Sequence, residues 1–173
     1  RPRRVVVTLG GSDPHGGVFK VLQAIPTIPY ALEWEVFLGP LFAHRRRLDR
    51  WRRQLDGHAR IRWHHAELDV ISWFAQADVA ICASGHTLFE MMGVGVPVLS
   101  VANAPHEIVN ARYFASLGGC HFLGRHATVT ASSIAQALTR LLGDPAQRAA
   151  LSQRGKSLID GRGIERVTQL IQE

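Results

Sequence analysis

Cysteine is scarce in this chain: Cys82 and Cys120 are its 2 cysteines in 173 residues, too few for a secreted disulfide framework. Both sit in apolar segments and are expected to be buried thiols of a cytoplasmic protein. Lysine is equally scarce, Lys20 and Lys156 being the only lysines among 20 basic side chains, so the formal charge of +6 rests on arginine. No apolar run approaches the roughly 18 to 20 residues of a spanning helix, and the opening RPRRVVVTLGG has no signal-peptide hydrophobic region. Hydrophobic residues make up 46% and charged residues 20%, near the globular average, which excludes disordered, collagen-like and disulfide-scaffold classes. The 9 histidines show no CxxC, HxxxH or HExxH spacing. Adjacent residues such as His64 and His65 in a strand point to opposite faces, so neither a metal nor a cofactor is expected. A Ser-His-Asp triad lacks its GxSxG elbow.

What is present is an alternation of short β-branched runs with longer helical stretches, the mark of βαβ units around a parallel sheet. Strands are predicted at residues 4–9, 33–38, 60–63, 79–83, 97–101 and 120–123. Helices are predicted at 18–25, 41–55, 68–75, 87–94, 106–116, 132–142, 145–157 and 164–171. The fold class is α/β, a single doubly wound Rossmann-like domain over 1–173 with a six-stranded parallel sheet and strand order 3-2-1-4-5-6. A chain that opens on Arg1-Pro2-Arg3-Arg4 and enters a strand at once reads as part of something longer.

Such sheets bind ligands beyond the carboxyl ends of their strands, so the loops there carry the candidate chemistry. After the first strand, Gly10-Gly11-Ser12-Asp13-Pro14-His15-Gly16-Gly17 allows a sharp turn, with Ser12 or Asp13 as helix cap and with amides for a phosphate or sugar hydroxyl. It is neither a dinucleotide GxGxxG nor a Walker loop. After the fourth strand, Ser84-Gly85-His86-Thr87 opens a helix whose unpaired N–H groups favour a diphosphate. Glu90 lies about one turn beyond Thr87 and suits vicinal ribose hydroxyls. The same pair also fits a capping box, TxxE. After the fifth strand, Asn103-Ala104-Pro105-His106-Glu107 places polar side chains beside a sugar, or else merely completes a turn.

The pairing of VVVTLGGSDPHGG with ADVAICASGHTLFEMMGVGVPVLSVANAPHEIVNA resembles the C-terminal, nucleotide-binding domain of the GT-B superfamily. It looks like the branch of the peptidoglycan N-acetylglucosaminyltransferase and of the UDP-sugar hydrolase of pseudaminic acid biosynthesis. The GGSDP turn and IDGRGIERV lean toward the hydrolase and its relatives in spore-coat polysaccharide synthesis. The resemblance implies that Gly10, Gly11 and Ser12 lie near diphosphate and sugar. It also implies that Ser84, Gly85, His86 and Thr87 surround the phosphates and that Glu90 binds ribose. Glu67 and Leu68 would meet uracil through their backbone, while Asn103, His106 and Glu107 lie beside the sugar. Catalytic residues are unknown within this sequence, because in the hydrolase relatives the base is a histidine of an N-terminal domain. The expectation is the UDP-binding domain of an enzyme that hydrolyses a UDP-sugar at its anomeric carbon, binding without turnover on its own. The alternatives are the donor domain of a glycosyltransferase and a non-catalytic nucleotide-binding module. The expected partners are a UDP-sugar and the N-terminal domain of the same protein.

Arg45-Arg46-Arg47, Arg50 and Arg52-Arg53 cluster around Trp51, while Leu41, His44, Leu48, Trp51 and Leu55 recur at helical spacing. An amphipathic helix with solvated arginines accounts for this, and no specific nucleic acid is expected. A membrane surface carrying a lipid-linked acceptor stays open as a partner.

Overall fold

Runs such as RVVVT, VAICA and VLSVA lack period-two alternation, as strands covered on both faces must. In the computed structural model, which describes residues 2–57, 59–67 and 69–172, they form the centre of a six-stranded sheet. The strands are Arg4–Thr8 (β1), Glu33–Leu38 (β2), Arg60–His65 (β3), Val79–Ala83 (β4), Val98–Ala102 (β5) and His121–Arg125 (β6). Every pairing is parallel and the order is β3-β2-β1-β4-β5-β6, as expected. RIRWHH at β3 mixes charge and aromatics because it is an edge, where charge discourages pairing with another chain.

The helices are Val18–Ala24 (α1), Arg45–Leu55 (α2), Val70–Phe74 (α3), His86–Val94 (α4), Pro105–Ser116 (α5), Ala131–Gly143 (α6), Pro145–Leu158 (α7) and Gly163–Gln172 (α8). Val5 and Val7 join the core under α1, α2 and α6, while Val6 and Cys82 join the one under α3 and α4. That division of neighbouring side chains makes the domain doubly wound. On the second face α4 and α7 pack closely: a Cβ on Gly155 would stand 3.0 Å from the carbonyl oxygen of Met92.

Two helix starts differ from expectation by two residues or more. α2 begins at Arg45 rather than at residue 41, so Leu41 and His44 lie outside it and its buried side chains are Leu48 and Leu55. Leu41 is 73% exposed while Phe42 is buried, since the chain after β2 turns sharply and Phe42 and His44 pack on Phe19. α3 starts at Val70, capped by Asp69, whose carboxylate accepts from the Ser72 N–H. Leu68 lies outside the described residues.

Candidate functional site

The strand order reverses between β1 and β4, and the loops on either side of that point converge. A cleft of about 120 Å³ opens there, lined by Gly10, Gly11, Gly39, Glu67, Thr87 and Glu90 with Phe37 and Phe74 among its apolar walls. A larger recess of about 740 Å³ runs along the α1–α6 seam, lined by residues such as Gln23, Ala135 and Gln136. Size alone would favour that recess, but the cleft holds the glycine turns and the carboxylates, and chemistry decides between them.

Gly10 takes a φ of +88°, which lets the chain leave β1 sharply. Gly11 is open: a Cβ there would meet no heavy atom within 4 Å. Ser12 is half-buried and caps nothing, because Asp13 takes that role. Its carboxylate accepts from the N–H of Gly17 at 2.7 Å and of Val18 at 3.0 Å, holding the start of α1. The amides there are occupied, so the α1 terminus is closed to a ligand and the open part of the turn is its first half. Burial pushes the Asp13 carboxyl up, and the Val18 and Gly17 amides pull it back.

The start of α4 is different. Its cap residue is Gly85, and among the described residues no side chain bonds its N–H groups. The expected Thr87–Glu90 capping box does not form, because the helix begins at His86 and Thr87 is already inside it. Thr87 and Glu90 line the cleft instead, and Glu90 is exposed. Among the described residues the Glu90 carboxylate makes no hydrogen bond or ion pair. Ser84 is fully buried and its Oγ has no partner among the described residues, an arrangement that costs free energy unless something else supplies a hydrogen bond. His86, at the first turn of α4, is exposed.

Beside this lies a bonded set. Asn103 donates from its side chain to the Leu9 carbonyl at 3.2 Å, and Glu107 accepts the Asn103 N–H at 2.6 Å. Glu107 Oε1 also lies 3.3 Å from where a Cβ on Gly85 would stand, so glycine is what lets α5 and the α4 turn approach. Asn103 and Glu107 therefore join the ends of β1, β4 and β5, leaving Asn103 Oδ1 buried without a partner among the described residues. His106 is exposed on the first turn of α5.

On the far side Ala66, in the left-handed region at φ +48°, turns the chain so that Ala66 and Glu67 face the cleft. Glu67 Oε1 accepts from the Asp69 N–H at 3.4 Å. The expected contribution of Leu68 lies outside the described residues. Sequence reasoning missed Gly39 and Pro40, which line the cleft after β2. A Cβ on Gly39 would stand 2.2 Å from the Gly11 carbonyl oxygen, so two loop backbones touch there. A Gly-Pro pair at a strand's carboxyl end was the available signal.

Neither thiol is a nucleophile. Burial pushes Cys82 well above the ordinary thiol range and Cys120 up to about 11. The two adjacent histidines divide as expected of a strand, His64 bonding Glu35 at 2.8 Å and His65 approaching Arg52 at 2.7 Å. Among the described residues no group of three His, Cys, Asp or Glu could hold a metal.

No family model matches the chain. The spore coat polysaccharide biosynthesis protein SpsG of Bacillus subtilis (strain 168) is 31% identical over 99% of this chain and 50% of its own length. A UDP-N-acetylglucosamine–N-acetylmuramyl-(pentapeptide) pyrophosphoryl-undecaprenol N-acetylglucosamine transferase of Xanthomonas campestris (strain B100) is 32% identical over 60% of this chain and 25% of its own. The chain thus spans half of the first relative and a quarter of the second. Among solved structures, Acinetobacter baumannii MurG superposes with a TM-score of 0.81 at 18% identity, over 99% of this chain and 50% of its own. Anabaena HepE, in complex with UDP and glucose, gives 0.79 at 16% identity over 98% and 47%. The chain shares its fold with these two solved structures, and in sequence it is homologous along its length to the spore coat protein.

Proposed function

We propose that this chain is the donor-binding half of a GT-B glycosyltransferase and that its cleft receives the nucleoside diphosphate of a UDP-sugar. The observation that carries this is the meeting of Gly10, Gly11, Thr87 and Glu90 in one cleft, at a helix start without a side-chain cap. The free N–H groups of α4 with the Ser84 and Thr87 hydroxyls take the diphosphate, since a helix N-terminus offers donors and a positive dipole end. Glu90, whose carboxylate bonds nothing among the described residues, accepts the ribose hydroxyls. The base rests along Ala66 and Glu67 against Phe37 and Val70, and the sugar extends toward Asn103 and His106.

In the transfer step an acceptor oxygen attacks the anomeric carbon, the bond from that carbon to the diphosphate breaks, and the acceptor proton passes to a base. The chain supplies the leaving-group site: amides and hydroxyls fixed before reaction stabilise the charge that grows on the diphosphate. Glu90 is committed to the ribose in this reading, and a second half of the protein provides the base and encloses the donor. A cleft of about 120 Å³ is one wall of a site rather than a whole one. Transfer is preferred to hydrolysis because the relative whose name states a reaction is a transferase and a structural neighbour holds UDP with glucose.

Calorimetric titration with UDP, with ADP and GDP as controls, tests the reading. UDP-selective binding is expected, weakened by Glu90→Ala at least about tenfold, the loss of a charged hydrogen-bond acceptor. A Glu90→Ala protein that binds UDP as well as the parent overturns the assignment. In the full-length protein, loss of donor only when an acceptor is present supports transfer, and release of free sugar in water alone supports hydrolysis.

A further inference from the structure

Basic groups that neither the core nor the cleft uses ring the turn from β1 into α1. His15 and His126 stack face to face, their centroids 3.7 Å apart and their planes 7° from parallel. Lys20 donates from Nζ to the carbonyl oxygens of His126 and Val129, tying the β6–α6 loop to α1. Arg125 precedes His126 and acts on it electrostatically. On the other flank His44 Nε2 lies 3.3 Å from the Pro14 carbonyl oxygen, and the Arg47 guanidinium sits 4.1 Å above the Phe19 ring. Asp13 is the carboxylate among these groups, and it is 3% exposed with its oxygens on the Gly17 and Val18 amides.

Positive charge therefore faces solvent here while the carboxylate faces inward. Among the described residues, the His15 and His126 rings and the Arg125 guanidinium make no hydrogen bond, so their donors are free. Parallel imidazoles at this separation repel when both are protonated, and an anion laid across them removes that penalty. A dianion gains most, because it takes an N–H from each ring and a guanidinium alongside. We infer that His15, His126 and Arg125 form a binding site for a phosphate group, built from residues other than those lining the nucleotide cleft. It stands independently of the nucleotide reading. It would hold a phosphate carried by the acceptor or by a second ligand.

The ring protons of His126, identified with His126→Asn, are followed by NMR across pH in inorganic phosphate and in chloride at equal ionic strength. Burial, His15, Lys20 and Arg125 hold His126 below the ordinary histidine range. Phosphate should raise its midpoint by about half a pH unit or more, and that shift should vanish in His15→Asn. Arg125→Ala should weaken phosphate at least about threefold while UDP affinity changes less than about twofold. A midpoint equal in phosphate and chloride overturns the inference, as does a shift that survives His15→Asn. Parallel loss of UDP and phosphate affinity in Arg125→Ala also overturns it, by making the pair part of the cleft. Phosphate binding without any UDP binding supports this site and counts against the nucleotide reading alone.

Discussion

Gly11 and Gly39 face each other across the mouth of the cleft, yet they answer to different constraints. At Gly39 a methyl group would stand 2.2 Å from the Gly11 carbonyl oxygen and 2.4 Å from the Gly11 Cα, backbone that has nowhere to go. Gly39→Ala should therefore separate the β1–α1 and β2–α2 loops, destabilise the domain by about 1–3 kcal/mol, and weaken UDP along with it. Gly11→Ala meets nothing within 4 Å, so its stability should stay within about 0.5 kcal/mol of the parent while UDP affinity falls. Chemical denaturation beside UDP titration separates the two, and Gly39→Ala as stable as the parent would contradict the contact. This contrast explains what could be read from sequence here. Gly10, Gly11, Ser84 and Glu90 announce themselves because glycine, a hydroxyl and a carboxylate stand at strand ends where helices begin. Gly39 does not, because its constraint comes from a loop far away in sequence. Thr87 and Glu90 fit a capping box in spacing, but spacing does not reveal that the helix starts one residue earlier, at His86, with Gly85 as its cap.

The periodic elements were legible for the same physical reason that they form, and their ends were not. The β-branched runs of β1, β4 and β5 and the apolar stripe of α6 are dictated by burial, which repeats along the chain. The start of α2 is set by a single event, the insertion of Phe42 beside Phe19, which draws Leu41 and His44 out of the helix pattern. α8 presents the opposite case, a pattern that is present without a partner. Its polar side is fixed by Arg162 with Glu165 and by Arg166 with Asp160, while Ile164 is 83% and Ile171 78% exposed. Apolar side chains in solvent contribute little to stability. Ile164→Glu with Ile171→Glu should leave the melting temperature of this chain unchanged, a change within about 0.5 kcal/mol, and should reduce self-association in sedimentation. A clear loss of stability would mean that the apolar face is covered within this chain.

At the scale of the molecule, net charge is +6 and the imidazoles set how that charge bears on folding. His65, His121 and His126 are each held below the ordinary histidine range, first by burial, then by Arg52 and Arg45 at His65, by Arg140 at His121, and by His15, Lys20 and Arg125 at His126. The unfolded chain then binds more protons than the folded one as pH falls through about 6.5, so stability must drop across that window. Asp13 works in the other direction lower down: its carboxyl is raised, so the folded state takes up that proton more readily and recovers some stability as pH falls toward 4. Asp160, held at about 2 by hydrogen bonds from Arg166 and from the Arg162 amide, adds a loss as pH falls from about 4 toward 2, and its exposure screens it. The melting temperature should thus decline from about pH 7 to 5.5 and flatten below that. His121 sits half-buried beside Arg140, the histidine of the three with the least solvent to relieve it. His121→Gln should make the decline shallower. A melting temperature that rises on acidification across that window would mean that these imidazoles are not depressed in the folded state.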